Sequence, residues 1–344
     1  MRLVVDLPAA TFETLERLLR TGAVSSINQA IVAAVESYLT LSGAVAREAV
    51  ADRALGSGVL AQPTLRPHGR FPVSLASAKI GHVAAAAMPE IDAVSGRKYH
   101  LFAINRLAPI KVGVRALAVL LSQTDGPMRL SEFNKQAAAM ACEIGDWLTS
   151  ADEDAGRSGS ERLSAGFPRS GESADKTQAS MERYSFFVLG DVQKKSKIVD
   201  GALFRLRLSN VDPSEGGDGI VRVTAPGLEF ALLANPVLDG GGQVNGASLS
   251  EEEAEWYLAH VAAKVPDEFR TIQLFLQRME VGARSPAQLL EAVRDEYADL
   301  SENAQRNTLS CVLGRLLDLR VVTRIKPREY MMTERGSRFV SQSA

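Results

Sequence analysis

Gln305, Arg306, Asn307 and Ser310 fall within one helical run and carry side chains suited to paired hydrogen bonding. Asn and Gln amides match the donor and acceptor edge of adenine, and an Arg guanidinium matches the two major-groove acceptors of guanine. Further along, Arg324, Lys326 and Arg328 set cations around Lys326-Pro327-Arg328-Glu329, a turn between the strand-like runs Val321–Ile325 and Tyr330–Thr333. Cations so placed suit phosphate, which supplies register and salt-dependent affinity but no sequence information. Lys194, Lys195 and Lys197 form a second cluster, with Arg205 and Arg207 downstream as further candidates for backbone contact. Any solvated helix face carries such residues, so their meaning depends on the elements that hold them.

Those elements start at Ser285-Pro286, an N-cap followed by a first-position proline, opening a helix with Leu289, Leu290 and Val293 apolar. Ser301, with Glu302 in the first turn, opens a second, where Leu309, Val312, Leu313, Leu316 and Leu317 recur at helical spacing. Arg315 is counted with its non-core residues. The order helix, helix, basic hairpin over 285–340 resembles a winged helix-turn-helix, as does the closing phrase Thr333-Glu334-Arg335-Gly336. The resemblance implies that the second helix enters a DNA major groove while the wing meets the backbone.

A second unit resembling this family is expected over 107–239. Its helices are predicted at Lys111–Leu121, Ser131–Leu148 and Ala179–Leu189, with wing strands at Ala202–Leu208 and Ile220–Thr224 and a short helix at Leu228–Leu233. Val223-Thr224-Ala225-Pro226-Gly227 echoes Met332-Thr333-Glu334-Arg335-Gly336, an internal repeat of architecture rather than of sequence. The Ser-, Gly- and charge-rich stretch 151–180 reads as a low-complexity insertion, disordered in isolation. Asp212, Glu215 and Asp218 give this wing an acidic tip, which would repel phosphate. Residues 247–344 hold a helical connector, opened by the capping box Ser250-Glu251-Glu252-Glu253 and continued by a helix over Pro266–Met279, and then the C-terminal unit.

Over residues 1–42, strand-like Met1–Leu7, a helix at Thr11–Arg20 and a second helix capped by Ser25-Ser26 resemble the ribbon-helix-helix family. The resemblance implies a dimer joined strand to strand, phosphate at the Ser25 and Ser26 amides, and Arg2, Val4 and Asp6 toward the groove. A segment of this size needs a partner to bury a core. A dimerisation module without DNA contact fits the same residues. Residues 43–106 read as a linker and partly helical connector.

The chain of 344 residues is 46% apolar with a net charge of −2, so it is not an indiscriminate polyanion coat, and specific binding would need local basic surface. Arg97, Lys98, Arg106, Lys111 and Arg115 supply one such stretch with no acid among them. Cys142 and Cys311 lack ligand-pattern neighbours, as do His68, His82, His100 and His260. Ser173-Ala174-Asp175-Lys176 lacks the companion motifs of the Ser-x-x-Lys hydrolases, and Gly240-Gly241-Gly242 lacks those of a phosphate loop. No apolar run is long enough to span a bilayer and no signal region is recognised, so a cytoplasmic location is expected.

The sequence thus predicts a mainly α protein with short β-hairpins, a ribbon-helix-helix-like N-terminus and two winged-helix-like domains. The expected function is sequence-specific binding of double-stranded DNA by a homodimer, as a transcriptional repressor, with no catalytic step and no cofactor or metal. The alternatives are a non-catalytic adaptor that binds a protein partner, or an antitoxin-like partner.

Overall fold

Helix α1 (Ala108–Ser122) is apolar on almost every side, and all of its residues from Ala108 to Leu121 are buried. A helix of that kind belongs at a centre rather than on a surface. Around it pack α2 (Leu130–Asp154), α4 (Ala202–Arg205), α5 (Ala225–Leu232) and a π-helical turn, Ser185–Leu189, that continues α3 (Ala174–Tyr184). The computed structural model describes residues 75–341, except 91–100, 102, 125, 172, 193–198, 214–217 and 241–246. The N-terminal unit 1–42, with Arg2, Ser25 and Ser26, lies outside the described residues, as do Lys194, Lys195 and Lys197.

The architecture is mainly helical, with short antiparallel sheets. Strands β1 (Met128–Arg129), β4 (Ser209–Asp212) and β5 (Ile220–Val223) form a sheet in the order β1-β5-β4, and β2 (Asp191–Val192) pairs with β3 (Val199–Asp200). Helices α6 (Glu251–Lys264), α7 (Pro266–Glu280), α8 (Pro286–Ala292) and α9 (Glu302–Asp318) follow. Strands β6 (Val322–Lys326) and β7 (Glu329–Met332) then form a hairpin, and α10 (Glu334–Ser341) ends the described chain.

Two expectations are corrected. The run 202–208 is not a strand: Ala202–Arg205 is a short helix and β4 starts at Ser209. The pattern there, Leu203, Leu206 and Leu208, all buried, suits either period over so short a run. The stretch 151–180 is folded where described, not a loose low-complexity excursion. The Asp152 carboxylate accepts the Leu163 and Ser164 amides at 3.0 and 2.9 Å and Arg157 Nε at 2.7 Å, while Asp146 accepts the Ser170 amide at 2.8 Å. Burial alone would raise the Asp152 carboxyl, but these donors hold it below its ordinary value. Polar side chains here bind backbone while Leu163 and Phe167 are buried in the core, an order that composition alone misreads as disorder.

Of the basic run before and within α1, Arg106, Lys111 and Arg115 are not surface either, while Arg97 and Lys98 lie outside the described residues. Lys111 Nζ meets Glu253 Oε1 at 2.8 Å with neither side chain exposed, and also donates to the carbonyls of Phe230 and Leu233. Arg115 forks onto both oxygens of Asp239 at 3.1 Å and donates to Leu75 and Leu233 carbonyls at 3.0 and 2.6 Å. Burial pulls Lys111 down to about 8, against the opposing pull of Glu253. Arg106 pairs with Asp318 at 3.2 Å. Glu253 also completes the capping box with Ser250 and accepts from Asn235, so one carboxylate starts α6 and fastens it to α1.

The echo between the two hairpins extends to individual bonds. Before β4, Arg207 takes a left-handed φ of 57°, with its amide donating to Phe204 and that of Leu208 to Leu203, both at 2.8 Å. Before β6, Arg320 has φ 56°, with its amide donating to Leu317 at 3.0 Å and that of Val321 to Leu316 at 3.2 Å. Both are left-handed helix endings of the Schellman type. After each hairpin a threonine caps the next helix. Thr224 Oγ1 accepts the Gly227 amide at 3.1 Å and donates to the Arg207 carbonyl at 2.6 Å. Thr333 Oγ1 accepts the Gly336 amide at 3.3 Å and donates to the Arg320 carbonyl at 2.7 Å. A Cβ on Gly227 would collide with the Leu208 carbonyl oxygen, and one on Gly336 with that of Val321.

Candidate nucleic-acid interface

Helix α8 is fixed at its start by a capping box in which Ser285 and Gln288 exchange hydrogen bonds, with Pro286 in the first turn. The preceding residue joins the hairpin: the Tyr330 amide donates to the Arg284 carbonyl at 2.8 Å. That contact stands where β1 stands on β5 upstream. Ser301 caps α9 through the Ala304 amide.

The first turns of α9 expose Arg306, Asn307 and Ser310 to solvent. Arg306 makes an exposed pair with Glu302 one turn back, an arrangement of small energetic weight that a stronger anion can displace. Gln305 is held differently. Its amide donates to the carbonyls of Tyr297 and Leu300 at 2.9 and 3.0 Å, so it braces the turn before α9 and has no free donor pair for a base.

In the hairpin, Thr323 pairs with Met331 and Arg324 with Tyr330, then a register irregularity brings Lys326 opposite Glu329. The Arg324 guanidinium lies over the Tyr330 ring at 5.5 Å and is half-buried, so its stem and charge brace the hairpin. Lys326 and Arg328 are exposed at the tip, and Lys326 keeps only a 3.8 Å exposed approach to Glu329. Arg328 has φ 64° and, among the described residues, no carboxylate within ion-pair distance.

Arg315 is buried, correcting its placement on the open face of α9. Its guanidinium forks onto Glu268 at 2.9 and 3.1 Å and donates to the Leu101 and Ile104 carbonyls. The sequence held the signal, because Thr308, Val312, Arg315 and Leu319 fall at helical spacing along the edge of the apolar stripe. Gly314, one residue earlier, lets the Asn105 carbonyl approach the helix so closely that a Cβ would collide with it.

Consequently only the N-terminal half of α9 is open. Its C-terminal half forms the floor of a cleft of about 750 Å³, walled by Asn105, Arg106 and the 159–165 turn on one side and by the start of α8 and the hairpin on the other. Arg306, Ser310 and Arg328 line this cleft together. No spacing in the sequence could place Asn105, Gly159 or Ala165 there, since they arrive from distant parts of the chain.

The upstream hairpin differs. Asp218 accepts the Ser131 amide and hydroxyl at 3.1 and 2.9 Å and lies 3.7 Å from Arg129, so its charge pins β5 to the start of α2. No protein-family model, curated protein or solved structure matches the chain.

Proposed function

We propose that this chain binds double-stranded DNA sequence-specifically, as a dimeric transcriptional regulator of the repressor kind, through a winged helix-turn-helix formed by α8, α9 and the β6–β7 hairpin. The observation that carries this reading is the convergence of Arg306 and Ser310 from α9 with Arg328 from the hairpin on one opening. Arg306 and Asn307, in the exposed first turns, are the base readers, since recognition helices of this class work mainly through their N-terminal residues. Lys326 and Arg328 supply phosphate contacts, while Gln305 and Arg324 act by holding the helix and wing in place. The ribbon-helix-helix resemblance of 1–42 supports a paired chain that spans two half-sites. Dimerisation then turns two weak contacts into a strong one by effective concentration.

A second reading, a non-catalytic adaptor, is favoured by the exposure of Ile325 and Met331 on the same hairpin, 41% and 43%. The test is anisotropy of a fluorescent random duplex library at about 50 and 200 mM salt, with wild type beside Arg306→Ala/Arg328→Ala. Selective, salt-sensitive binding that the variant loses while keeping its melting temperature supports the DNA reading. Absence of selective binding by wild type overturns it in favour of the adaptor.

A further inference from the structure

The cleft beneath the α9 opening has the dimensions and lining of a small-molecule site. Pockets that enclose small ligands run from about 300 to 1,000 Å³ and are mostly apolar with a few placed polar groups. This cleft, at about 750 Å³, falls within that span. Its apolar surface comes from Leu290 on α8 and from Leu309, Leu313 and Leu317 on α9. Leu290 and Leu317 are half-buried and present apolar surface to the cleft, backed by the buried Leu309 and Leu313.

Among the described residues the charged side chains that line it are all cations, Arg106, Arg306 and Arg328. Glu302, the exposed partner of Arg306, is not part of the lining. Arg106 is held by Asp318 at one end. Arg306 and Ser310 on α9 and Arg328 on the hairpin are the exposed polar residues of this lining. A cationic rim over an apolar floor complements a molecule with an anionic head and a hydrocarbon or aromatic body. A guanidinium receives a carboxylate or sulfonate through two parallel hydrogen bonds, and the floor covers the body.

We propose that this cleft binds a small amphipathic organic anion, with its head on Arg306 and Arg328 and its body on the leucine floor. The ligand class follows from charge complementarity and from the volume of the cleft. A consequence, which rests on the DNA-binding reading above, is regulation: the ligand head and a phosphate or base edge would claim the same two guanidinium groups. Occupancy would therefore release DNA.

The probe is 1-anilinonaphthalene-8-sulfonate, whose fluorescence rises on transfer to an apolar site, titrated without DNA into the full chain. Wild type is expected to give saturable enhancement with one molecule per chain. Decanoate should displace the probe and decylamine, with the same tail and a positive head, should not. Ser310→Trp, a substitution at an exposed position, fills the cleft and should abolish enhancement at least tenfold. Arg306→Glu/Arg328→Glu should weaken it to a similar degree, with near-ultraviolet circular dichroism unchanged to exclude binding by a loosened core. No saturable enhancement in wild type, equal displacement by decylamine, or undiminished binding by the two folded variants overturns the site. Decanoate is then added to a DNA complex. Release from wild type and not from Ala287→Trp, which fills the cleft from the exposed start of α8 away from the proposed DNA contacts, supports competition, and release from neither overturns the regulatory consequence alone. If wild type binds no DNA, the DNA reading fails while the probe titration still decides the site.

Discussion

The two hairpins share a backbone frame and differ in what their charges are for. Each follows a left-handed Arg at a helix end and closes on a threonine cap over a glycine that touches the residue before the first strand. In the upstream unit Asp218 holds β5 to α2 and Arg205 pairs with buried Asp200. In the C-terminal unit Lys326 and Arg328 remain outside. The frame is therefore set by a few backbone hydrogen bonds and does not dictate an interaction surface. What a hairpin can bind depends on whether its charged residues are already engaged.

The buried guanidinium groups offer the largest contrast. Arg315 and Glu268 are both closed to solvent, whereas Asp239, the partner of Arg115, keeps a side-chain exposure of 18%. Breaking a buried pair by removing one partner costs about 3–5 kcal/mol, because the remaining charge is stranded. Arg315→Met is expected in that range, and Arg115→Met below it because water can reach Asp239. Urea denaturation of both variants measures the difference. Equal losses would show that the two pairs are equally enclosed and would remove this asymmetry between the units.

The glycines come next. Gly227 is boxed in by the backbone of Leu208 alone, whereas one of the nearest neighbours of Gly336 is the flexible Met332 side chain. Overpacking costs about 1–3 kcal/mol. Gly227→Ala should cost more than Gly336→Ala, whose added Cβ also meets backbone but less closely, both within or above that interval and read as melting temperature. A reversed order would mean that the C-terminal junction is the more rigid of the two.

Acid separates the units as well. Burial would raise Asp239, but Arg115 and the Ser77 and Asn235 amides outweigh it and hold the carboxyl near 2. An unfolded aspartate titrates near about 3.9. The folded pKa is the lower one, so this group stabilises the fold fully above the unfolded value and loses that contribution as pH falls toward 2. Asp239→Asn should be less stable than wild type at neutral pH, and the gap should close between about pH 4 and 2. A constant gap across that window would reject the assignment.

Much of the frame was legible in the sequence because its signals are local. Ser250, Ser285 and Ser301 each cap a helix where the sequence predicts one. The Thr-x-x-Gly echo marked both junctions. The candidate interface was less legible. Arg306, Asn307, Ser310, Lys326 and Arg328 emerge on the surface, but Gln305 and Arg324 have structural partners close in sequence whose geometry no pattern reveals. The run holding Arg106, Lys111 and Arg115 lacks local acids, so it read as basic surface. Its partners Asp318, Glu253 and Asp239 lie far along the chain. Charge read along the sequence fails wherever the neutralising group comes from a long-range contact.

The smallest expected effect separates frame from function most directly. Arg207 at the upstream junction and Arg328 at the C-terminal tip both hold left-handed backbone, φ 57° and 64°. That conformation costs a residue with a Cβ roughly 1 kcal/mol that glycine does not incur. Glycine also gains freedom in the unfolded chain, which offsets part of the benefit. Arg207→Gly and Arg328→Gly should thus each raise stability slightly, by about 0.5 kcal/mol, seen as a small upward shift in melting temperature. Their effects on DNA should diverge: Arg207→Gly leaves affinity unchanged, and Arg328→Gly weakens it and flattens its salt dependence by about one counterion. A variant that becomes more stable while binding less cannot be losing affinity through misfolding. If Arg328→Gly instead binds as well as wild type, the wing tip has no phosphate contact and the two hairpins are alike in function as well as in frame.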